Sequence, residues 1–379
     1  MLESRSTTAR PRLRYRILRS IEELTSIKTQ WDALWAETGA EYYLSFSGIQ
    51  HSWNEIHRPQ GAALCCAVAF DEHDLLGILP MILQRHKFAK TAASCGPGSA
   101  EGCGMLVKKS KESQAIATAL MQNFLRSVRP DYLLLNFVRL GSDLEVALQS
   151  VSSRDVINTW DEIIPHADLK KETSWQSYKD CLSKNYQGNT ARARRRLGEQ
   201  GKLTTEVVRG PADTLIDWIF LHKKQWSERT NKRGEWIFSR HYQQYLKVLM
   251  SSDPKFILFV LTLDGTPVAA SMVAIDTKSA SWIITTYDEK YKHFSPGNIL
   301  AESMVEYVFE NCRGDDGERL DFIFGPGRET AKMQWSRGHA DEARSYRFVT
   351  SKWGFARTRV LQAIASIRNS VFLRRGISR

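Results

Sequence analysis

The stretch SWIITTYDEKYKHFSPGNIL, residues 281–300, decides the fold together with RLDFIFGPGRE, residues 319–329. Its opening apolar run predicts a buried strand that ends at Asp288, and a helical pattern follows from Asn298 to about residue 311. RLDFIF predicts a second buried strand, which breaks at the glycines of GPGRE. A strand, a helix and a strand in this order form a crossover unit, and α/β proteins bind ligands in the loops that follow such strands. We therefore expect the functional site in these two loops.

The rest of the chain shows the same order of elements twice. The first half predicts a strand at 13–18, helices at 20–38 and 44–56, a hairpin at 62–83, a helix at 112–128, and strands at 131–138 and 155–164. The second half predicts helices at 174–199, 212–228 and 240–251, and strands at 255–263, 267–276, 280–288 and 343–350. Asp264-Gly265 is a strong signal for a tight hairpin turn. We predict a mixed α/β protein with two similar domains, 13–165 and 166–350.

Composition is that of a soluble globular protein, with 42% hydrophobic and 25% charged residues among 379. The length favours two domains over a single core. No apolar run approaches a membrane-spanning length, and the N-terminus lacks the apolar segment of a secretory signal. The six cysteines show no CxxC spacing, and histidines and cysteines show no metal-ligand spacing, so we expect no bound metal. These features predict a cytoplasmic protein.

The net charge of +11 lies at the two ends of the chain. Residues 1–19 carry six arginines and one glutamate, and residues 343–379 carry nine basic residues and no acid, so the remainder is slightly acidic. A broad nucleic-acid surface is therefore not expected. We predict a flexible basic N-terminus at 1–12 and a basic amphipathic helix within 351–379. That helix could pack on its own domain, on an anionic membrane surface at the inner face of the membrane, or on an acidic carrier protein.

Several blocks of the sequence resemble a known family. LDGTPVAAS (263–271), TTYDEKYKHFSPGNIL (285–300) and LDFIFGPGRETAKMQW (320–335) are similar to the signature blocks of the CelD-type, cellulose-biosynthesis-like acyltransferases, a branch of the GNAT superfamily related to the FemAB aminoacyltransferases. The similarity implies a tandem GNAT-like fold that transfers an acyl group from a thioester to an amine or hydroxyl, often in polysaccharide or cell-envelope synthesis. The chain departs from the family at Ala331, where a tyrosine usually precedes the lysine.

Acyl transfer requires groups that take a proton from the acceptor and stabilise the developing oxyanion. Asp288, at the end of a predicted strand, is the first candidate for this base, with capping of the next turn as the alternative. Glu329 and Lys332 share one face of a helical turn and could hold the acceptor or form a structural ion pair. Tyr287 and Tyr291 could protonate the leaving thiolate, or could serve only in packing.

The sequence also offers candidates for donor and acceptor binding. FSPGN places Ser295, Pro296, Gly297 and Asn298 at a helix start, where backbone N–H groups suit a phosphate, although capping alone would explain them. Candidate acceptor-binding residues, each with a packing or solvent-facing alternative, are Trp226, Arg229, Tyr291, Trp335 and Arg195.

The predicted co-substrate is acetyl-CoA or another acyl-CoA, with an acyl carrier protein as a further possibility, and the acceptor is a small molecule or glycan. Two other functions are compatible with the sequence. The basic helix TARARRRLGEQG (190–201) would suit a FemAB-like transferase that uses aminoacyl-tRNA. The glycine-rich pyrophosphate loop typical of coenzyme A-binding GNAT enzymes is present only in degraded form, as KHFSPG (292–297). This loop and Ala331 would suit a non-catalytic, membrane-docked adaptor in the assembly of an envelope polymer.

Overall fold

The computed structural model describes residues 13–360, except residues 73, 87, 99–100, 152–155 and 233. The strands are β1 (Arg14–Leu18), β2 (Ala63–Leu64), β3 (Cys66–Phe70), β4 (Leu75–Leu79), β5 (Met81–His86), β6 (Ala89–Ser94), β7 (Leu106–Val107), β8 (Tyr132–Arg139), β9 (Val156–Asp168), β10 (Leu203–Arg209), β11 (Phe256–Leu263), β12 (Thr266–Ile275), β13 (Ser279–Tyr287), β14 (Asp321–Ile323) and β15 (Ala340–Val349).

The helices lie between groups of these strands in both halves of the chain. They are α1 (Ile21–Thr25), α2 (Lys28–Thr38), α3 (Phe46–Ser52), α4 (Ser113–Val128), α5 (Asp143–Gln149), α6 (Trp175–Asp180), α7 (Lys184–Gly198), α8 (Asp213–Thr230), α9 (Arg240–Ser252), α10 (Pro296–Asn311) and α11 (Thr330–Trp335). Among the described residues, no helix is long and apolar enough to cross a lipid bilayer.

An eleven-stranded sheet runs through both halves in the order β10-β11-β12-β13-β14-β9-β15-β8-β6-β5-β2, and β1-β3-β4-β7 form a second sheet. The predicted hairpin is present as the antiparallel pair β3–β4. Pro80, which predicts an edge or a bulge, separates β4 in the small sheet from β5 in the large one. A residue without an N–H cannot bond within a ladder, so it suits the point where the chain changes sheets.

Two long strands, β9 and β15, connect the halves, because each of them pairs with a strand of the other half. β9 pairs with β14 of the second half, and β15 pairs with both β9 and β8 of the first half. The predicted domain boundary at residue 165 therefore falls within β9, and the division into 13–165 and 166–350 stays a prediction. This pairing between the halves makes one continuous sheet, so residues from both halves can meet at its centre.

The predicted crossover is confirmed, because β13 and β14 are parallel neighbours and α10 connects them. α10 buries Ile299, Leu300, Met304, Val305 and Val308 against the sheet, and this packing fixes the helix start relative to the end of β13. The loop between β13 and α10 is a short 3₁₀ helix, Glu289–Phe294.

The basic segments at the two ends lie mostly outside the described residues. The predicted flexible segment 1–12 and residues 361–379 of the predicted C-terminal helix are not described. Residues 352–360 are helical, and Tyr132 contacts this helix through hydrogen bonds to Gly354 O at 3.1 Å and Thr358 Oγ1 at 3.2 Å. Trp353 and Val360 are 60% and 58% exposed. Trp353 also donates to Phe88 O at 2.9 Å, so the described part of this helix packs on the first half.

Candidate active site

The candidate site is a wedge-shaped opening between β13 and β14. The two strands pair only at Ser279–Asp321, Ala280–Phe322 and Ser281–Ile323. Beyond them β13 continues along β12 to Tyr287, whereas Phe324 and Gly327 donate their N–H groups to β9, at Pro165 O and Ile163 O. The strands therefore separate at Trp282 and Phe324, whose rings meet edge to face at 5.9 Å.

A cavity of about 340 Å³ occupies this opening. Three tryptophans form much of its wall, namely Trp226 on α8, Trp236 on the following 3₁₀ turn and Trp282 on β13. The first half contributes Phe137, which a bulge in β8 turns into the left-handed region at φ 50°. A non-glycine residue held at positive φ is uncommon and often marks a functional position. Aromatic walls of this kind suit the flat face of a ring or sugar.

Two lysines and one carboxylate supply the charges of the cavity. Lys332 donates to Pro326 O at 2.6 Å and pairs with Glu329 at 3.2 Å. Gly327, at φ 123°, makes room for this carboxylate, since a Cβ there would collide with Glu329. Burial alone would raise the pKa of the Glu329 carboxyl, but Lys332 beside it holds that pKa below its usual range. Glu329 is therefore ionised at neutral pH.

Lys223 is a cavity residue that the sequence reasoning missed. It lies on α8, donates to Thr285 O at 3.0 Å and sits 4.2 Å above the ring of Trp226. Burial, with a smaller contribution from the charge of Lys332, lowers the pKa of Lys223 to about 8. The available signal was the spacing of three residues between Lys223 and Trp226, which places both on one face of the helix.

The start of α10 lies at the edge of this cavity, as predicted for donor binding. Gly297 and Asn298 line it, and a Cβ on Gly297 would meet Tyr287 Cδ1 at 3.7 Å. Pro296 begins the helix and is buried. Ser295 differs from the expectation, because it adopts φ 48° and its side chain makes no capping hydrogen bond. The donor role of these four residues stays a prediction.

A cation lies close to the start of α10. The guanidinium of Arg196, on α7, lies 5.5 Å from the ring centre of Phe294, and Phe294 is the residue directly before Ser295. Arg195, the predicted acceptor-binding residue, is instead 74% exposed and pairs with Glu199 on its own helix. It does not line the cavity. The solvent-facing alternative therefore describes Arg195, and Arg196 is the better placed of the two.

Four of the other predicted residues lie at or beyond the rim. Asp288 accepts the N–H of Lys290 at 2.9 Å and does not line the cavity, so the capping alternative accounts for it. Tyr291 packs under Lys290, with 5.2 Å between the amine and the ring centre, and is also outside the lining. Arg229 pairs with Glu289 at 2.7 Å and donates to the hydroxyl of Tyr287 at 3.3 Å. Of these residues, only Tyr287 lines the cavity.

Trp335 corrects an expectation about the acceptor groove. Its side chain is 1% exposed and stacks on Trp175 and Tyr178 at ring distances of 6.0 and 6.4 Å. The hydroxyl of Tyr178 donates to its backbone carbonyl. Trp335 therefore holds α11 against the core and has no surface in the cavity, whereas Trp226 does line it.

A second opening, of about 660 Å³, lies at the seam between the halves. It is lined by more polar and charged groups, including Arg139, which pairs with both Glu41 and Asp341. A buried carboxyl, Glu101, lies in a small cavity between the two openings and accepts from Tyr242 at 3.2 Å. Burial raises the pKa of Glu101 to about 8. Of the two openings, only the wedge combines separated parallel strands with a helix start.

Comparison with known proteins agrees with this geometry. Residues 184–333 match the model of the family described as an acetyltransferase (GNAT) domain, a range that includes α8, β13 and α10 and ends within α11. A tandem GNAT protein from the clavulanic acid biosynthesis pathway, solved without AcCoA, superposes with a TM-score of 0.53 at 12% identity, covering 90% of this chain and 99% of that one. The chain has a tandem GNAT fold.

FemX also superposes, with a TM-score of 0.56 at 9% identity, covering 84% of this chain and 95% of that one. At these identities the two structures establish the fold and leave the substrates open. No curated protein shows a significant match to the sequence. The predicted fold class is confirmed and the GNAT superfamily supported, whereas the CelD-type assignment stays a prediction.

Proposed function

We propose that the protein is an acyltransferase in which a thioester donor, acyl-CoA, reacts with an acceptor inside the wedge between β13 and β14. The observation that carries this proposal is the separation of the two strands beside the start of α10, within the segment that matches the acetyltransferase domain. A long thioester can enter between separated strands, and its phosphates can meet the N–H groups of the helix start. Arg196 would add a positive charge near them.

The transfer is a direct reaction in a ternary complex. The acceptor nitrogen or oxygen attacks the thioester carbonyl, the new C–N or C–O bond forms, and the C–S bond breaks. The proton of the acceptor leaves to a base, and the sulfur departs as the thiol after protonation. Glu329, ionised and on the cavity wall, is the best placed base, and Tyr287, which also lines the cavity, is the candidate acid. Lys332 stabilises the Glu329 carboxylate.

A role in polysaccharide or cell-envelope synthesis, with a glycan acceptor, is part of the proposal and is supported by the family resemblance and the tryptophan walls. A cytoplasmic location, with peripheral contact of the basic C-terminal segment to a membrane, is proposed with it. A second candidate function is aminoacyl transfer from tRNA, which the similarity of fold to FemX favours.

The experiment is a thermal-shift panel with acetyl-CoA, longer acyl-CoAs, free CoA, an acyl carrier protein and aminoacyl-tRNA. A ligand that binds only the native state raises the melting temperature with its occupancy. Gly297→Trp places a large ring beside Tyr287 at the cavity edge, and Gly297→Ala is the matched control, because its Cβ has ordinary contact distances. We expect acyl-CoA to stabilise the native protein and Gly297→Ala, and not Gly297→Trp. Stabilisation by aminoacyl-tRNA alone would favour the second function, and no shift with any donor would contradict both.

A further inference from the structure

The charges of the wedge cavity do not balance. Lys332 is neutralised by Glu329 at 3.2 Å. Lys223 lines the same cavity and forms no ion pair with a carboxylate in the described part of the chain; its polar contact is the carbonyl of Thr285 at 3.0 Å. The cavity thus holds two amines and a single carboxylate among its lining residues, and has an excess positive charge when Lys223 is protonated.

An amine that has lost much of its hydration and has no counter-ion is costly to the folded protein. The depressed pKa of Lys223 expresses that cost. Glu329, the carboxylate among the lining residues, is already paired with Lys332, so a ligand is the remaining source of a negative charge for Lys223 inside the cavity. A carboxylate supplied by a bound molecule would recover the lost hydration through a charge-assisted hydrogen bond.

The walls of the cavity indicate the shape of the ligand. Trp226, Trp236 and Trp282 line it and would contact an apolar, ring-shaped part.

We propose that the acceptor is a small molecule with a ring-shaped body and a carboxylate, and that the carboxylate binds Lys223. Naming this molecule the acceptor rests on the proposed acyl transfer, whereas its binding does not. The reacting amine or hydroxyl is then a different group of the same molecule, which the ion pair with Lys223 and the contact with the tryptophans hold in a fixed orientation.

The test measures binding without any thioester, so its result is independent of the donor panel. Isothermal titration compares two pairs of probes that share a shape and differ in charge: phenylacetate with phenylacetamide, and glucuronate with glucose. At pH 7 we expect at least one acid to bind about tenfold more tightly than its neutral partner, equivalent to about 1.4 kcal/mol. An acid that binds no better than its neutral partner in both pairs, or binding of neither acid, overturns the proposal.

Variants assign the preference to a residue. Lys223→Met and Lys223→Gln should remove the preference for the acid, and Lys223→Arg should keep part of it. Lys224→Met is the matched control, because Lys224 is the next residue of α8 and does not line the cavity. Retention of the full preference in Lys223→Met, or its loss in Lys224→Met, would contradict the assignment.

Discussion

Replacing Lys223 by methionine should stabilise the protein in the absence of ligand. Burial lowers the pKa of this amine from 10.5 to about 8. One pKa unit corresponds to about 1.4 kcal/mol, so keeping Lys223 charged at pH 7 costs the folded state about 3 kcal/mol. Methionine removes this cost but also the hydrogen bond to Thr285 O, worth about 1 kcal/mol. The expected net gain in the free energy of unfolding is about 2 kcal/mol.

The pH dependence separates this effect of charge from an effect of packing, because a packing effect would not change with pH. Between pH 8 and 10.5 the unfolded chain holds a proton on Lys223 that the folded chain has lost, so the native protein gains stability as the pH rises. The advantage of Lys223→Met should therefore disappear by about pH 10. Urea unfolding at pH 7 and pH 10 measures both quantities, with Lys224→Met as control. A Lys223→Met protein that is less stable than the native protein at pH 7, or that differs from it by a constant amount across this range, would contradict the predicted cost of the buried charge.

Three further changes test other parts of the structure. The native protein should lose stability as the pH rises from about 5 to 8, because the folded chain holds a proton on Glu101 up to a pKa of about 8, and Glu101→Gln should remove this loss. Urea unfolding measures the free energy of unfolding at each pH, and the same dependence on pH in Glu101→Gln as in the native protein would contradict the prediction. Ala331→Tyr should fill part of the cavity and weaken phenylacetate binding at least about tenfold, whereas Ala331→Ser should not. Trp335→Ala should cost about 3–5 kcal/mol in urea unfolding, and a loss below about 1 kcal/mol would show that Trp335 is not a core residue.

The crossover and the two hairpins, β3–β4 and β11–β12, were predictable from the sequence. Each depends on local patterns, namely apolar runs, a helical period and turn residues. β10 was missed. It reads LTTEVVR, lies at the edge of the large sheet and is largely exposed, so it lacks an apolar run. The strand expected at 319–324 pairs over three residues only, because its continuation turns to β9. β9 pairs with β14 and β15 pairs with β8, and because these strands lie far apart in the chain, no local pattern predicts the pairing.

The site was predictable in its location and less so in its residues. The two loops that flank α10 border the cavity, and Tyr287, Gly297, Glu329 and Lys332 line it, whereas their catalytic and donor-binding roles stay predictions. Helical spacing places Lys223 on the face of Trp226, but it could not show whether this face borders a cavity or the core, because that depends on how α8 packs on β13. It also could not separate Trp226, in the wall, from Trp335, in the core. A polar residue after a strand is as well suited to capping as to catalysis, and Asp288 takes the first role.

The most direct test of the proposed function is a crystal structure of the complex with the acyl-CoA that stabilises the protein most. We expect the thioester to lie between β13 and β14, in the cavity that Lys223, Glu329 and Trp282 line, with the pyrophosphate at the start of α10 near Gly297. A thioester bound in the seam that Arg139 lines, or on the outer surface of the protein, would contradict it.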